Sequence, residues 1–516
     1  MTPRREAKTR LPATSEVPTV QGSLLARNAV INLFTLGIPL VVAFVTLPFM
    51  IRGLGPERFG VFSIVWLLLT YLSELGFGAT TTRYAAEAIG AGRPADLAAL
   101  AWTTLALQTA IGLLLGLALA AGTPFLVANV LKIPPALASE ARLCFYMLAA
   151  ALPITGSARS FRGLVEAAQR FDLAMAVQLP ITAGTYVVAA VGAMLGWSLP
   201  LLIAVVVTAR FLAVPAFYAA ARRALPGVSL RPAFQRARLR EIASFAGWVA
   251  VSTAVSPMLL YLDRFMVAAL LSMAAVTFYA APYELVARLA LIPGALVGAA
   301  FPALSQLSAH VDRSYAEQLG ARCVMLLIAL LTPVVMIIVG VAHDLLTLWL
   351  GADYAANSGL ALQILALGFF INALAHVPYI LLHSAGRPDL PARFHLLELP
   401  LQLVLAWLLI SRLGITGAAL AWTLRMIVDA ALLFAATRQT GLLSAGALLQ
   451  KGLPTAAAVF VGGTLISMTA SMIFASQIVR LGMALTLGVA AATALWFVAV
   501  SPPERRRLTS LLRQPG

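Results

Sequence analysis

Charge is scarce in this chain. Asp, Glu, Lys and Arg together make up 11% of its 516 residues, where a soluble domain carries about 25%, so an ordinary water-soluble globule is excluded. Cysteine is nearly missing. Cys144 and Cys323 are the only two, both in or beside apolar stretches, and no C-x-x-C pair or zinc spacing exists, which excludes a disulfide scaffold and a zinc module. Acids are outnumbered, 20 against 36 Lys and Arg, for a formal net charge of +16. A basic chain can bind nucleic acid, but these arginines stand in short loops at the ends of apolar runs. They form no patch interleaved with aromatics, so no nucleic-acid partner is expected. The N-terminal segment lacks the short apolar core and small-residue cleavage site of a signal peptide and reads as a cytoplasmic tail.

Apolar residues dominate what is present: 61% of the chain, with a mean hydropathy of +0.92. A membrane-spanning helix needs about 20 of them in a row. Windows of that length fall at 28–51, 60–82, 97–121, 141–165, 173–196, 198–222 and 244–271. They continue at 275–305, 321–342, 358–383, 394–411, 415–437, 452–474 and 478–500. The expected fold is therefore an all-α integral membrane protein of about 14 transmembrane helices. With the N-terminus inside, about 26 of the 36 Lys and Arg lie on the cytoplasmic side, as the positive-inside bias requires. Both termini and the basic stretch 223–241 are then cytoplasmic, and the segment around Asp353 is periplasmic. The basic tails can also hold anionic lipid headgroups.

The two halves echo each other at a shift of about 217 residues. Phe59–Ser63 (FGVFS) matches Val276–Ala280 (VTFYA), Gln169–Asp172 (QRFD) matches Gly386–Asp389 (GRPD), and Leu195-Gly196 matches Leu413-Gly414. Two six-helix lobes follow. An even number of spans per repeat preserves orientation, so the lobes are related by a pseudo-two-fold along the membrane normal, with a site expected between them near mid-membrane. The chain divides into a basic tail 1–27, an N-lobe 28–222, a linker 223–241, a C-lobe 242–437, a C-terminal helix pair 438–500 and a basic tail 501–516. The helix pair lies outside the repeat and either packs on the second lobe or lines a lipid groove.

Ionisable residues inside spans are expensive and mark functional sites. Arg210, Arg264, Arg288 and Arg425 are such cations, and Glu74, Asp263, Glu284, Glu398 and Asp429 such acids. Two readings of them stay open. Glu284 with Arg288 and Arg425 with Asp429 are spaced i, i+4, so each pair could neutralise itself. Asp263 and Arg264, about 100° apart on their helix, are expected to pair with other helices. Glu74 has no basic residue one turn away and is either a coupling site or a hydrogen-bonded packing residue.

Several short motifs resemble those of polysaccharide-biosynthesis flippases in the multidrug/oligosaccharidyl-lipid/polysaccharide exporter superfamily. They are the turn with Arg52, Leu54, Gly55, Phe59, Gly60 and Phe62, the QRFD segment, Asp263–Met266 with Tyr279 and Tyr283, and Leu348–Ser358 (LWLGADYAANS). The resemblance runs over most of residues 25–435 and implies two lobes around a V-shaped cavity. It also implies a bacterial inner-membrane flippase, not an enzyme, that moves a polyprenyl-pyrophosphate-linked oligosaccharide by alternating access. Arg288, Arg425, Arg210 and Arg264 are then expected to supply cavity cations for the pyrophosphate, since the guanidinium fork suits phosphate. Glu74, Asp263, Glu284 and Asp429 are the candidates for coupling or charge pairing. No cofactor is expected beyond a coupling proton or sodium ion. The expected partners are the lipid-linked glycan, anionic lipids, and the glycan polymerase and glycosyltransferases of one pathway. The competing readings are a cation-coupled drug antiporter of the same superfamily and a membrane glycan polymerase or ligase, the latter disfavoured by the short outward loops.

Overall fold

The computed structural model describes residues 22–72, 77–93, 95–233, 261–296 and 313–499. Among these the chain is helical without a strand, as a bilayer demands when every backbone group must be satisfied within its own segment. In order the helices are α1 (Gly22–Leu72), α2 (Phe77–Gly90), α3 (Ala95–Phe125), α4 (Ala138–Thr155), α5 (Ala158–Ala167), α6 (Phe171–Met194) and α7 (Leu199–Ala224). Then come α8 (261–270), α9 (Met273–Ala287), α10 (291–296), α11 (Arg313–Leu350), α12 (Ala352–Ser384), α13 (Asp389–Gln439), α14 (Ala445–Gln450), α15 (Leu453–Ile473) and α16 (Gln477–Ala499).

Eleven helices among the described residues are long and apolar enough to cross a membrane. Two of these, α1 and α13, are each two spans joined at a bend, where Gly55 (φ 73°) and Gly414 (φ 59°) take left-handed geometry that a side chain would strain. The bend in α13 is a reversal. Arg425 and Glu398 are 27 residues apart in sequence and hydrogen-bonded at 3.2 Å, whereas a straight helix would separate them by about 40 Å. Counted this way, the expected spans map onto described helices, but 244–271 is described only from 261, 275–305 only to 296, and 60–82 without 73–76. Residues 234–241 of the linker, 1–21 of the first tail and all of the last tail also lie outside the described residues. Large apolar side chains such as Leu114, Leu212, Val404, Trp407 and Val489 are exposed on the periphery, a surface suited to lipid tails.

The repeat is visible in local geometry. Gln169 (φ 58°) and Gly386 (φ 73°) both turn left-handed at matching positions. The arginine after each, Arg170 or Arg387, then donates Nε–H to Asp172 at 2.9 Å or Asp389 at 3.0 Å. Gly196 (φ 74°) and Gly414 (φ 59°) form a second matched pair of turns.

The halves meet at one end of the bundle. Thr277 Oγ1 donates to Pro56 O at 2.6 Å, Lys132 Nζ to Leu270 O at 2.5 Å, and Trp349 Nε1 to Phe44 O at 3.2 Å. Gly60 crosses so close to Met273 that a Cβ would collide with its carbonyl oxygen. Pro56 and Gly60 are the repeat equivalents of Met273 and Thr277. Residue 60 therefore touches 273 while 277 touches 56, the reciprocal contact that a two-fold axis generates.

Helices α15 and α16 pack on α11, so the C-terminal pair belongs to the second lobe. Small residues make the approach possible: a Cβ on Gly340 would meet Ser467, and one on Gly463 would meet Met336. Ser467 Oγ donates to Met336 O at 2.9 Å. Arg480 grips Asp344 with two hydrogen bonds of 2.5 and 2.7 Å.

Candidate functional site

Between the halves, next to the sealed end, lies a cavity of about 260 Å³. Its lining obeys the repeat. Phe44 and Tyr261, Leu47 and Arg264, Ser63 and Ala280, Leu67 and Glu284, and Tyr71 and Arg288 are equivalent pairs, and all ten residues face the cavity. One wall is thus aromatic and aliphatic, and the other is charged.

The charged wall is built on α8 and α9. Ser272 accepts from Ala275 N–H at 3.1 Å, an N-cap that fixes where α9 starts and so where Glu284 and Arg288 point. Glu284 stands between two arginines: Oε1 accepts from Arg264 Nη2 at 2.9 Å and Oε2 from Arg288 Nη2 at 2.7 Å. The local i, i+4 pair does form, but Arg264 adds a second cation, leaving one positive charge in surplus. Arg264 is only 4% exposed. Its guanidinium lies 5.1 Å from the Tyr261 ring and 4.9 Å from that of Tyr283, and these π-faces stabilise the charge away from water. Arg288 is half-buried, with a 29% exposed side chain. It is the cation a ligand would meet.

The other expected residues are placed differently. Asp263 is fully buried beside the cavity and accepts from Tyr279 Oη and, at 3.0 Å, from the Arg264 backbone N–H. One partner comes from α9 and the other is the backbone of its own neighbour. Arg210 is partly buried on α7 within electrostatic range of Tyr186, a cavity residue. Arg425 is not on the cavity wall. It is 5% exposed inside the C-half, and its partner is Glu398 rather than the Asp429 one turn away, because the returning leg of α13 brings Glu398 alongside. Glu74 lies outside the described residues.

Sequence reasoning missed the aromatic share of the wall: Phe44, Trp66, Tyr71, Tyr186, Tyr261 and Trp349. Phe44 stacks on Trp349 at 4.6 Å and Tyr71 meets Tyr261 at 4.5 Å. Tyr261 was open to detection, lying three residues before Arg264 and hence on its face. Missed too were His395 and Gln402, which share a face of their span with Glu398.

A helical bundle of two pseudo-symmetric lobes with a cavity between them is an architecture that secondary transporters use. Solved structures with this fold include the lipid II flippase MurJ in an inward closed conformation (TM-score 0.65, 10% identity, 91% of this chain and 99% of that one). A structure titled as the inward-facing conformation of a multidrug resistance MATE family transporter shares the fold (TM-score 0.65, 15% identity, 82% of this chain and 99% of that one), as does one titled as the outward-facing conformation of such a transporter (TM-score 0.57, 15% identity, 81% and 95%). The model of the polysaccharide biosynthesis protein family matches residues 25–308. A Shigella flexneri protein described as "Putative O-antigen transporter" is 30% identical over 417 residues, covering 79% of this chain and 96% of that one. The chain belongs to the polysaccharide biosynthesis protein family, as a multi-pass membrane transporter rather than an enzyme.

Proposed function

We propose that this protein is a flippase for a polyprenyl-pyrophosphate-linked oligosaccharide, working by alternating access in a bacterial inner membrane with both termini cytoplasmic. The observation that carries this reading is the Arg264–Glu284–Arg288 group, a surplus positive charge held at the pseudo-two-fold between the lobes. A diphosphate crossing a bilayer must be met by cations inside the protein, and guanidinium binds phosphate oxygens in pairs. The opposite wall suits the sugars, whose apolar ring faces pack on aromatic rings. A cavity of about 260 Å³ is below the range for drug-sized ligands. It would hold the charged linkage rather than a whole oligosaccharide. A drug-cation antiporter would need a net negative cavity, and this one is net positive.

In the proposed orientation the sealed end is periplasmic and the cavity is reached from the cytoplasm. The glycan, its glycosyltransferases and its polymerase are the partners this reading implies. The test is glycan display in a deletion strain. Arg288→Gln is expected to abolish display at near-normal protein abundance, and Arg288→Lys to restore it only in part, because lysine keeps the charge but loses the fork. Normal display with Arg288→Gln would refute the phosphate role.

A further inference from the structure

The C-half contains a second charged group that the cavity does not use. On the first leg of α13, His395, Glu398 and Gln402 follow at i, i+3 and i+7 and share one face. On the second leg Arg425 and Asp429 are one turn apart. Arg425 Nη1 donates to Glu398 Oε2 at 3.2 Å. One carboxylate oxygen of Glu398, one of Asp429 and a ring nitrogen of His395 lie within 4.8 Å of one another.

This group is dry: Glu398 is 1% exposed, Gln402 0% and Asp429 7%. Glu398 Oε1, Asp429 Oδ1, both amide atoms of Gln402 and Arg425 Nε have no hydrogen-bond partner. A buried polar atom left this way costs about 1–3 kcal/mol, and two facing carboxylates cannot both stay charged beside a single cation. With a neutral imidazole the group holds two negative charges and one positive. A single proton balances it and supplies the O–H that the two unpartnered carboxylate oxygens call for.

We infer that Glu398 and Asp429 share one exchangeable proton, delivered through the half-buried His395, and that a proton gradient acts on the transporter at this site. In the transfer an imidazolium N–H bond breaks as a carboxyl O–H bond forms. The imidazole is left neutral to take the next proton from water, and the new O–H donates to the facing carboxylate. A sodium ion suits the place less well, because hard cations take all-oxygen shells, and here an imidazole and a guanidinium occupy two sides.

Other groups face the pair. From α12, Tyr379 is within electrostatic range of Asp429 and His383 within that of His395. From α8, Asp263 is within range of Arg425. From α9, Tyr283 meets Trp422 edge-on at 5.7 Å, and the same Tyr283 ring lies 4.9 Å from the Arg264 guanidinium. One tyrosine therefore touches both the cavity cation and Trp422, which stands three residues before Arg425 on the second leg of α13. The service of the proton site to transport rests on the flippase reading, but the proton itself can be observed without any glycan.

The experiment is infrared difference spectroscopy of the full chain in proteoliposomes, between mildly acidic and mildly alkaline buffers. A protonated-carboxyl C=O band is expected, shifted by deuterium oxide and lost in both Glu398→Gln and Asp429→Asn. Asp429→Glu, which keeps an acid, should move the band rather than abolish it, and decides the matter if the amide variants do not fold. Arg288→Gln should retain the band even with transport lost, which separates failure of this site from failure of the flippase reading. The inference is overturned if no band titrates, if it survives both amide variants, if Asp429→Glu leaves it unmoved, or if sodium displaces it at constant pH.

Discussion

The two halves of this protein share a fold and differ in what they bury. In the N-half the buried polar residues among those described are neutral, Thr80, Thr81, Thr103, Thr104, Gln108 and Ser160 among them. In the C-half they include Asp263, Arg264, Asp344, Glu398, Arg425 and Asp429. The same holds at equivalent cavity positions, where Leu47, Leu67 and Tyr71 stand opposite Arg264, Glu284 and Arg288. The repeat gives a reciprocal contact at the sealed end and places equivalent positions on both walls of the cavity. The charge then sits in one lobe, where a buried ion needs a partner and partners must be placed together. The ion pairs of the cavity wall lie within the C-half, so movement of the N-half against it does not break them.

Making the halves alike tests this most severely. Arg264→Leu, which installs the residue found at position 47, strips Glu284 of its buried partner. It should cost about 4 kcal/mol, seen as a lower melting temperature in detergent and lower abundance in membranes. The double variant Arg264→Leu/Glu284→Leu copies both N-half residues and removes the stranded acid with the cation. It is expected to regain most of the stability, because apolar side chains often replace buried ion pairs at no loss, while glycan display stays absent. Recovered display in this stable variant would break the link between C-half charge and transport.

The second group sharpens the same contrast. Arg425→Leu leaves Glu398 and Asp429 without their cation and should destabilise the protein by about 3 kcal/mol. The loss should depend on pH. Without the cation the folded variant must hold one proton more than the unmutated protein, a proton the unfolded chain has released, so its stability falls more steeply as pH rises. Melting curves should show a deficit larger in alkaline than in mildly acidic buffer. A deficit independent of pH would mean the two acids do not confront each other.

Much of this architecture is legible in sequence because a bilayer leaves few choices. The spans follow from hydropathy alone, and the repeat can be read from Gln169-Arg170 against Gly386-Arg387 since a left-handed turn constrains residue type. The charged residues of the cavity wall stand out for a similar reason: Arg264, Glu284 and Arg288 are costly inside an apolar run and so easily noticed. Pairing across helices is not legible. Arg425 has an acid one turn away in sequence, yet its hydrogen bond goes to Glu398 because α13 reverses at Gly414 and lays one leg on the other. The aromatic wall was hidden because tyrosine and tryptophan are unremarkable in membrane helices until packing shows which face they share.

A smaller effect tests the seal where the halves are most alike. Gly60 and Thr277 are equivalent residues on opposite sides of the pseudo-two-fold, but they carry different loads. Gly60→Ala drives a methyl into the Met273 carbonyl, a backbone atom that cannot rotate away. It should weaken the closed contact by about 2 kcal/mol through overpacking. Spin labels at the exposed positions Glu57 and Asp353, with Cys144 and Cys323 buried, should then report a longer separation across the sealed end.

Thr277→Val is the mildest change. It conserves shape and removes only the hydroxyl that donates to Pro56 O at 2.6 Å. One such hydrogen bond contributes about 1 kcal/mol, enough to shift the ratio of closed to open forms about fivefold. The same label pair should therefore show a modest gain in the longer distance, with the melting temperature nearly unchanged. The two variants act on one contact from opposite lobes and should move the distances in the same direction, Gly60→Ala further. If Thr277→Val opened the seal more than Gly60→Ala, the contact would be held by that hydrogen bond rather than by close approach, and its symmetry would count for less than Thr277 alone.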